Sequence, residues 1–151
     1  MPDKPVAEIR IDDELVRGLI VAQASHVVPD ASTAPIAKVA EGWDCEVWRI
    51  GPALAARLPR RTLAAPLILH EQVSLPVIGP RLEATGIRVP TPLVRGVAEG
   101  AFPWSWSVVP WIDGSRGIDT PRPQRSAWAG PLASALGALH VDAPRDHPVN
   151  P

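Results

Sequence analysis

The sequence predicts an α+β fold, and three observations carry that reading. Apolar residues recur at helical spacing near both ends of the chain, and short apolar runs between them are separated by glycine and proline turns. A helical segment interrupts those runs after the third. The expected order is a helix, a meander of three strands, an inserted helix, two further strands and a trailing helix.

In the first helix, Asp12 or Asp13 is the cap and Glu14 lies favourably in the first turn. Leu15, Leu19 and Ala22 follow at helical spacing with Val16 and Ile20 beside them; Gly18 weakens the helix and Pro29 lies past its end. Ile36 to Ala40 reads as a strand, Gly42 as a turn, and the stretch through Val47 to Ile50 as a second strand. Gly51-Pro52 turns the chain into a third strand, Leu54 to Leu58. Leu67 to Leu75 suits a helix with Pro66 in its first turn. Pro76 is expected to break or kink it, leaving a short helical piece up to Leu82. Val89 to Val97 and Trp104 to Ile112 read as strands, the first confined by Pro90 and Pro92 to an edge or to irregular backbone. Asp113 to Gly117 is a connector. The last helix spans Ser126 to His140, with Trp128, Leu132, Leu136 and Leu139 on one stripe and Pro131 obscuring its start.

Bulk properties exclude several functions. At 151 residues, 46% hydrophobic and 21% charged, the chain has globular composition and enough length for a core. A net charge of -1 makes no electrostatic case for nucleic acid, and the densest basic cluster, Arg57, Arg60 and Arg61, is too short for a polyanion track. Alternation of Trp104, Trp106 and Trp111 without interleaved basic residues points to packing and not to a base-stacking platform. The single cysteine, Cys45, forms no internal disulfide, and the scattered His70 and His140 make no metal site. No apolar run approaches the roughly 20 residues that span a bilayer. Met1 to Pro5 lacks the features of a signal peptide, so no membrane partner is expected and a cytoplasmic location is.

The residues that carry chemistry lie in the meander and the helix after it. Gly42-Trp43-Asp44-Cys45 forms a turn, and Leu54-Ala55-Ala56-Arg57 forms a strand. Alternation puts Ala55 and Arg57 on one face. Glu71, in the following helix, is the natural partner of Arg57, since an arginine–carboxylate pair holds the guanidinium fork in place. A glycine turn, a basic side chain on the third strand and a helical glutamate are the front half of a kinase-type phosphate site.

With Glu41-Gly42-Trp43-Asp44, Arg57-Leu58-Pro59-Arg60-Arg61, His70-Glu71 with Leu75-Pro76, Val89-Pro90-Thr91-Pro92, Pro103 to Val108, Trp111-Ile112-Asp113-Gly114 and Leu136 to His140 in this order, the chain resembles the aminoglycoside phosphotransferases and their small-molecule kinase relatives. The resemblance covers nearly the whole chain. It implies a protein-kinase-like small lobe over residues 1–112, followed over 113–151 by a linker and the first helix of a C-terminal lobe. It implies ATP or GTP with magnesium, transfer to a hydroxyl, and a role in antibiotic resistance. Val39 and Val47 would pack on the purine, Ala55 would leave room for it, and the backbone of Val109 and Trp111 would meet its edge. Gly42, Trp43, Asp44 and Cys45 would cover the phosphates, Arg57 would orient them, and Glu71 would hold Arg57.

The chain departs from the family pattern at Cys45, where Asn is expected, at Arg57 for the commoner Lys, and at Ser115, where relatives often carry an acid. Neither Asp142 nor Asp146 with Asn150 has the spacing of the family's catalytic loop, and Pro144 takes the place of that loop's histidine. The expectation is therefore a lobe cut before the catalytic residues, inactive alone, with no catalytic or metal-ligating side chain of its own. The Leu132, Leu136, Leu139 stripe would then meet a C-terminal lobe or a second copy. The alternatives are a non-catalytic binding or interaction module of kinase ancestry, and a relative acting on a macrolide, choline or homoserine.

Overall fold

A computed structural model describes residues 4–145, 147 and 148; Asp146 and Asn150 lie outside the described residues. The first helix, α1 (Asp13–Gln23), starts where the sequence places its cap: Asp12 Oδ1 accepts the Leu15 N–H at 3.1 Å. Val16, Leu19 and Ile20 are buried along one side, and Gly18 is exposed on the other. The meander follows as β1 (Ile36–Glu41), β2 (Cys45–Ile50) and β3 (Leu54–Pro59). Gly51, at φ 53°, supplies the left-handed backbone that the β2–β3 turn requires.

After a 3₁₀ turn at Thr62–Ala64 comes α2 (Ala65–Glu83), then β4 (Val94–Gly96) and β5 (Trp106–Pro110). The remainder consists of α3 (Arg122–Arg125) and α4 (Ala129–Leu139), with 3₁₀ turns at Gly117–Asp119 and Ser126–Trp128. The five strands form one antiparallel sheet in the order β1-β2-β3-β5-β4, which is the α+β arrangement expected.

The core lies between α1 and one face of this sheet. Trp48, Ala56, Leu58, Trp106 and Val108 alternate inward, and Val16, Leu19, Ile20 and Phe102 meet them. This leaves the opposite face of β2, β3 and β5 for other work. On that side α2 is fastened by Gln72, whose Nε2 donates to Trp106 O at 2.8 Å and to Ser107 Oγ at 3.1 Å.

Three expectations need correction. Pro76 does not end the helix: α2 runs unbroken through both Pro76 and Pro80. Each proline removes one backbone donor. Packing on both sides outweighs that loss: Gln72 anchors the helix before Pro76, and Gly79 lies buried against Thr91. The strand expected over Val89 to Val97 shrinks to Val94–Gly96, because the proline-rich stretch before it cannot donate to a ladder. It does take the edge position that the prolines predict. The trailing helix begins at Ala129, with Pro131 in its first turn and a 3₁₀ turn before it. Among the described residues, no helix is long and apolar enough to cross a membrane.

Candidate functional site

Strand register builds the face opposite α1 in two rows. Val47, Arg57 and Ser107 stand side by side in one, and Arg49, Ala55 and Val109 in the other. Cys45 extends the same face along β2 by alternation. In β1 the register slips between Lys38 and Ala40, which leaves Val39 as the extra residue of a bulge, 45% exposed. The sequence residues Val39, Cys45, Val47, Ala55, Arg57 and Val109 thus come together on or beside one face of the sheet, exposed at Val39, half-buried at Cys45, Val47 and Arg57, and buried at Ala55 and Val109.

Glu71 faces it from α2. Arg57 Nη2 donates to Glu71 Oε1 at 2.7 Å, and both side chains keep about a third of their exposure (28% and 32%). A pair this exposed contributes roughly 0–1 kcal/mol to stability, so its geometry matters more than its energy. It sets the guanidinium on the side of β3 away from α1. Gln72, next to Glu71 in sequence, is one of the few buried polar side chains, and it fixes the helix that carries the carboxylate.

The glycine turn is held from below. Gly42 N–H donates to Cys45 O at 2.8 Å and closes the turn, and the Arg60 N–H donates to Asp44 O at 2.8 Å. The Arg60 side chain points to the α1 side, where Nη1 donates to Gly42 O at 3.0 Å and Nη2 pairs with Glu41 at 3.0 Å. Glu46, also buried, accepts the Trp48 indole N–H at 2.9 Å and lies 3.4 Å from Lys38 Nζ. On the other side, Arg61 Nη2 donates to Asp44 Oδ1 at 2.9 Å. Trp43 projects from the tip, 52% exposed.

Cys45 lies among these charges. Burial pushes its thiol up to about 11, Arg57 pulls the other way, and Glu71 and Asp44 add to the rise. A thiol held in this way stays protonated at neutral pH and is a poor nucleophile.

At the far end of the face, Trp111 closes the strand. Its N–H donates to Ala53 O at 2.7 Å, so a purine edge expected to meet the backbone of Trp111 has only the carbonyl left. Its indole donates to Asp113 Oδ1 at 2.7 Å and stacks under the Arg49 guanidinium, 4.6 Å from the ring centre.

Sequence reasoning missed Arg60, Glu46, Arg61 and Gln72 as builders of the site. Alternation from Arg57 already sends Arg60 to the core side, where a charge demands a partner. Gln72 follows Ala64 and Ile68 at helical spacing on the buried side of α2, and a lone amide there signals a cross-element bond.

No protein-family model matches the chain, and no curated protein matches it. Solved structures do. The GDP complex of wild-type aminoglycoside 2'-phosphotransferase-IIIa superposes with a TM-score of 0.71 at 16% identity, over 88% of this chain and 43% of that one. The gentamicin complex of APH(2")-IIa gives 0.55 at 14% identity, over 91% and 42%. ADP-bound aminoglycoside phosphotransferase APH(2'')-Ib gives 0.51 at 15% identity, over 89% and 41%. The chain spans less than half the length of each of these structures. Over the part that it spans, its fold is that of the kinase-like N-terminal lobe of the aminoglycoside phosphotransferases.

Proposed function

We propose that this chain is the nucleotide-binding lobe of a small-molecule kinase that transfers a phosphoryl group from ATP or GTP to a hydroxyl. The observation that carries the reading is the partly exposed Arg57–Glu71 pair, set on the sheet face away from α1 in line with the half-buried Val47 and the buried Ala55 and Val109. Phosphoryl transfer depends chiefly on holding and neutralising phosphates, and a fixed guanidinium does both. The purine would lie over Ala55 between Val39, Val47 and Val109, with its edge toward the backbone of Val109 and the carbonyl of Trp111. The phosphates would run past Arg57 beneath the Gly42–Cys45 turn. The solved structures of this fold that hold GDP, ADP and ATP support the nucleotide.

We assign binding and orientation to the described residues, and no catalytic base. Magnesium finds no fit here. Among the described residues no group of His, Cys, Asp or Glu forms a metal site, and guanidinium groups engage both carboxylates nearest the phosphates, Glu71 and Asp44. No step is routed through the metal. The acceptor is left as a small-molecule hydroxyl; gentamicin belongs to one of the solved proteins, and antibiotic resistance remains an extension of the same reading.

Leu132 and Leu136 are 55% and 46% exposed on α4, with Val73 and Val77 exposed on α2, the helix against which α4 packs. We place there the contact with the lobe that makes up the rest of the solved structures and, for the chain by itself, with a second copy.

The test is a titration with ATP followed by tryptophan fluorescence. Saturable quenching is expected, with affinity lowered about tenfold or more in Arg57→Ala, as for loss of a charge-assisted hydrogen bond, and less in Glu71→Ala. A flat response from folded protein, or an Arg57→Ala affinity equal to wild type, removes the phosphate role.

A further inference from the structure

The sheet face away from α1 carries a second guanidinium. The chain stays extended beyond β3, with Arg61 at φ -148° and ψ 153°, and Arg60 N–H continues the pairing to Asp44 O. Alternation therefore sends Arg60 to the α1 side and returns Arg61 to the side of Arg57. The two arginines are built alike. Each gives Nη2 to a single carboxylate, Glu71 at 2.7 Å for Arg57 and Asp44 at 2.9 Å for Arg61. Each also keeps a buried Nε with no hydrogen-bond partner, as Arg60 does on the α1 side. A buried N–H left unpaired on a charged group is unfavourable, and an incoming anion is what would satisfy it. The pairs are neighbours by register: Cys45, next to Asp44, stands opposite Pro59, with Arg57 two residues before it and Arg61 two residues after it.

The two carboxylates differ in how firmly they are held. Glu71 stands on a helix that Gln72 ties to β5. Asp44 stands in a turn with its side chain 48% exposed, so it can swing into water with little loss. Four residues of extended chain put the Cα atoms of Arg57 and Arg61 about 13 Å apart. Two long side chains can close on a run of phosphates across that gap, whereas a single phosphate reaches only one of them.

We propose that Arg57 and Arg61 form a two-pronged site for a chain of phosphates, with Asp44 as the resident anion that holds Arg61 until a phosphate displaces it. The inference rests on the nucleotide reading and deepens it by one residue: Arg61 is what discriminates a nucleoside di- or triphosphate from the monophosphate. No bond is made or broken; one anionic partner replaces another on the same guanidinium.

The experiment titrates wild type, Arg61→Gln, Asp44→Asn and Arg57→Ala with ATP, AMP and inorganic tripolyphosphate by calorimetry. Arg61→Gln is expected to weaken ATP and tripolyphosphate about tenfold, the worth of one charge-assisted hydrogen bond, and to leave AMP unchanged. Asp44→Asn is expected to tighten ATP and tripolyphosphate, again without effect on AMP, and it decides the matter if Arg61→Gln does not fold. Asp44→Asn binding ATP no better than wild type, or Arg61→Gln affecting ATP and AMP equally, overturns the inference. Binding that depends on Arg57 but not on Arg61 sinks it alone, while a wild type that binds neither ATP nor tripolyphosphate takes the proposed function with it. Tripolyphosphate matching ATP would show that the phosphates and not the purine dominate, and would support the two-pronged site.

Discussion

Glu41 shows how the end of the sheet is held at the level of single residues. It accepts Lys38 Nζ at 2.8 Å, pairs with Lys4 at 2.6 Å and meets Arg60 at 3.0 Å. The hydrogen bonds from Lys38 and then Lys4, with the charge of Arg60, hold its carboxyl down at about 2 from an ordinary value of 4.5. A pKa lowered in the folded chain contributes stability that is present above about 4.5 and is lost as pH falls toward 2. The prediction is that Glu41→Gln is less stable than wild type at pH 6 and that the gap closes between pH 4.5 and 2. Denaturant midpoints measured across that range check it, and a constant gap would show that the ammonium groups do not govern Glu41. This network was not legible in the sequence, for a geometric reason. Strict alternation puts Lys38 and Glu41 on opposite faces, and only the extra residue at Val39 brings them to the same side. The Arg57–Glu71 pair was legible, because a basic residue on a regular strand and an acid in the next helix need no such irregularity.

At the scale of the element, two glycines make opposite demands. Gly96 in β4 pairs with Trp106 in β5, and the indole lies directly over it: a Cβ there would come within 2.2 Å of the ring nitrogen. Gly96→Ala should therefore destabilise the protein by about 1–3 kcal/mol, as overpacking does. Gly18 in α1 has nothing within 4 Å of an added Cβ, and its backbone is helical. Gly18→Ala should stabilise by about 0.5–1 kcal/mol. Thermal or urea unfolding of the two variants side by side is the check; a Gly96→Ala variant as stable as wild type would mean that the Trp106 indole yields to the added methyl. The elements themselves were largely readable from periodicity and turn residues. Proline was the source of both main errors, since its local effect can be read but not the packing that overrides it. Gln72 and Gly79 keep α2 helical past Pro76 and Pro80, whereas nothing rescues the ladder before β4.

For the molecule as a whole, the sheet divides the work. One face meets α1 and is filled; the other carries the charged and small residues of the candidate site. That division follows from alternation in β2, β3 and β5, and the sequence showed it for β3, where Ala55 and Arg57 share a face. The strand order was not, because β5 inserts between β3 and β4 through contacts distant in sequence. Nor was it visible which side of α4 would pack: Ala135 is buried, Leu139 partly so, and Leu132 and Leu136 face out. Exposed leucines of this kind should associate. In sedimentation velocity the chain alone is expected to self-associate as concentration rises, and Leu132→Glu with Leu136→Glu to abolish this without lowering the unfolding temperature. Association that survives the double substitution would move the contact elsewhere.

The bonds of Gln72 reach further than the anchoring of one helix. They end on Trp106 O and Ser107 Oγ, and Ser107 stands beside Arg57 in the sheet. A pivot of α2 that carried Glu71 away from Arg57 would strand those acceptors in a dry interior. The helix therefore gives up its freedom when the chain folds and not when a ligand arrives. Whatever enters this face meets a finished mould: it can exchange side-chain partners, but it has no lever with which to throw the helix between an on and an off position.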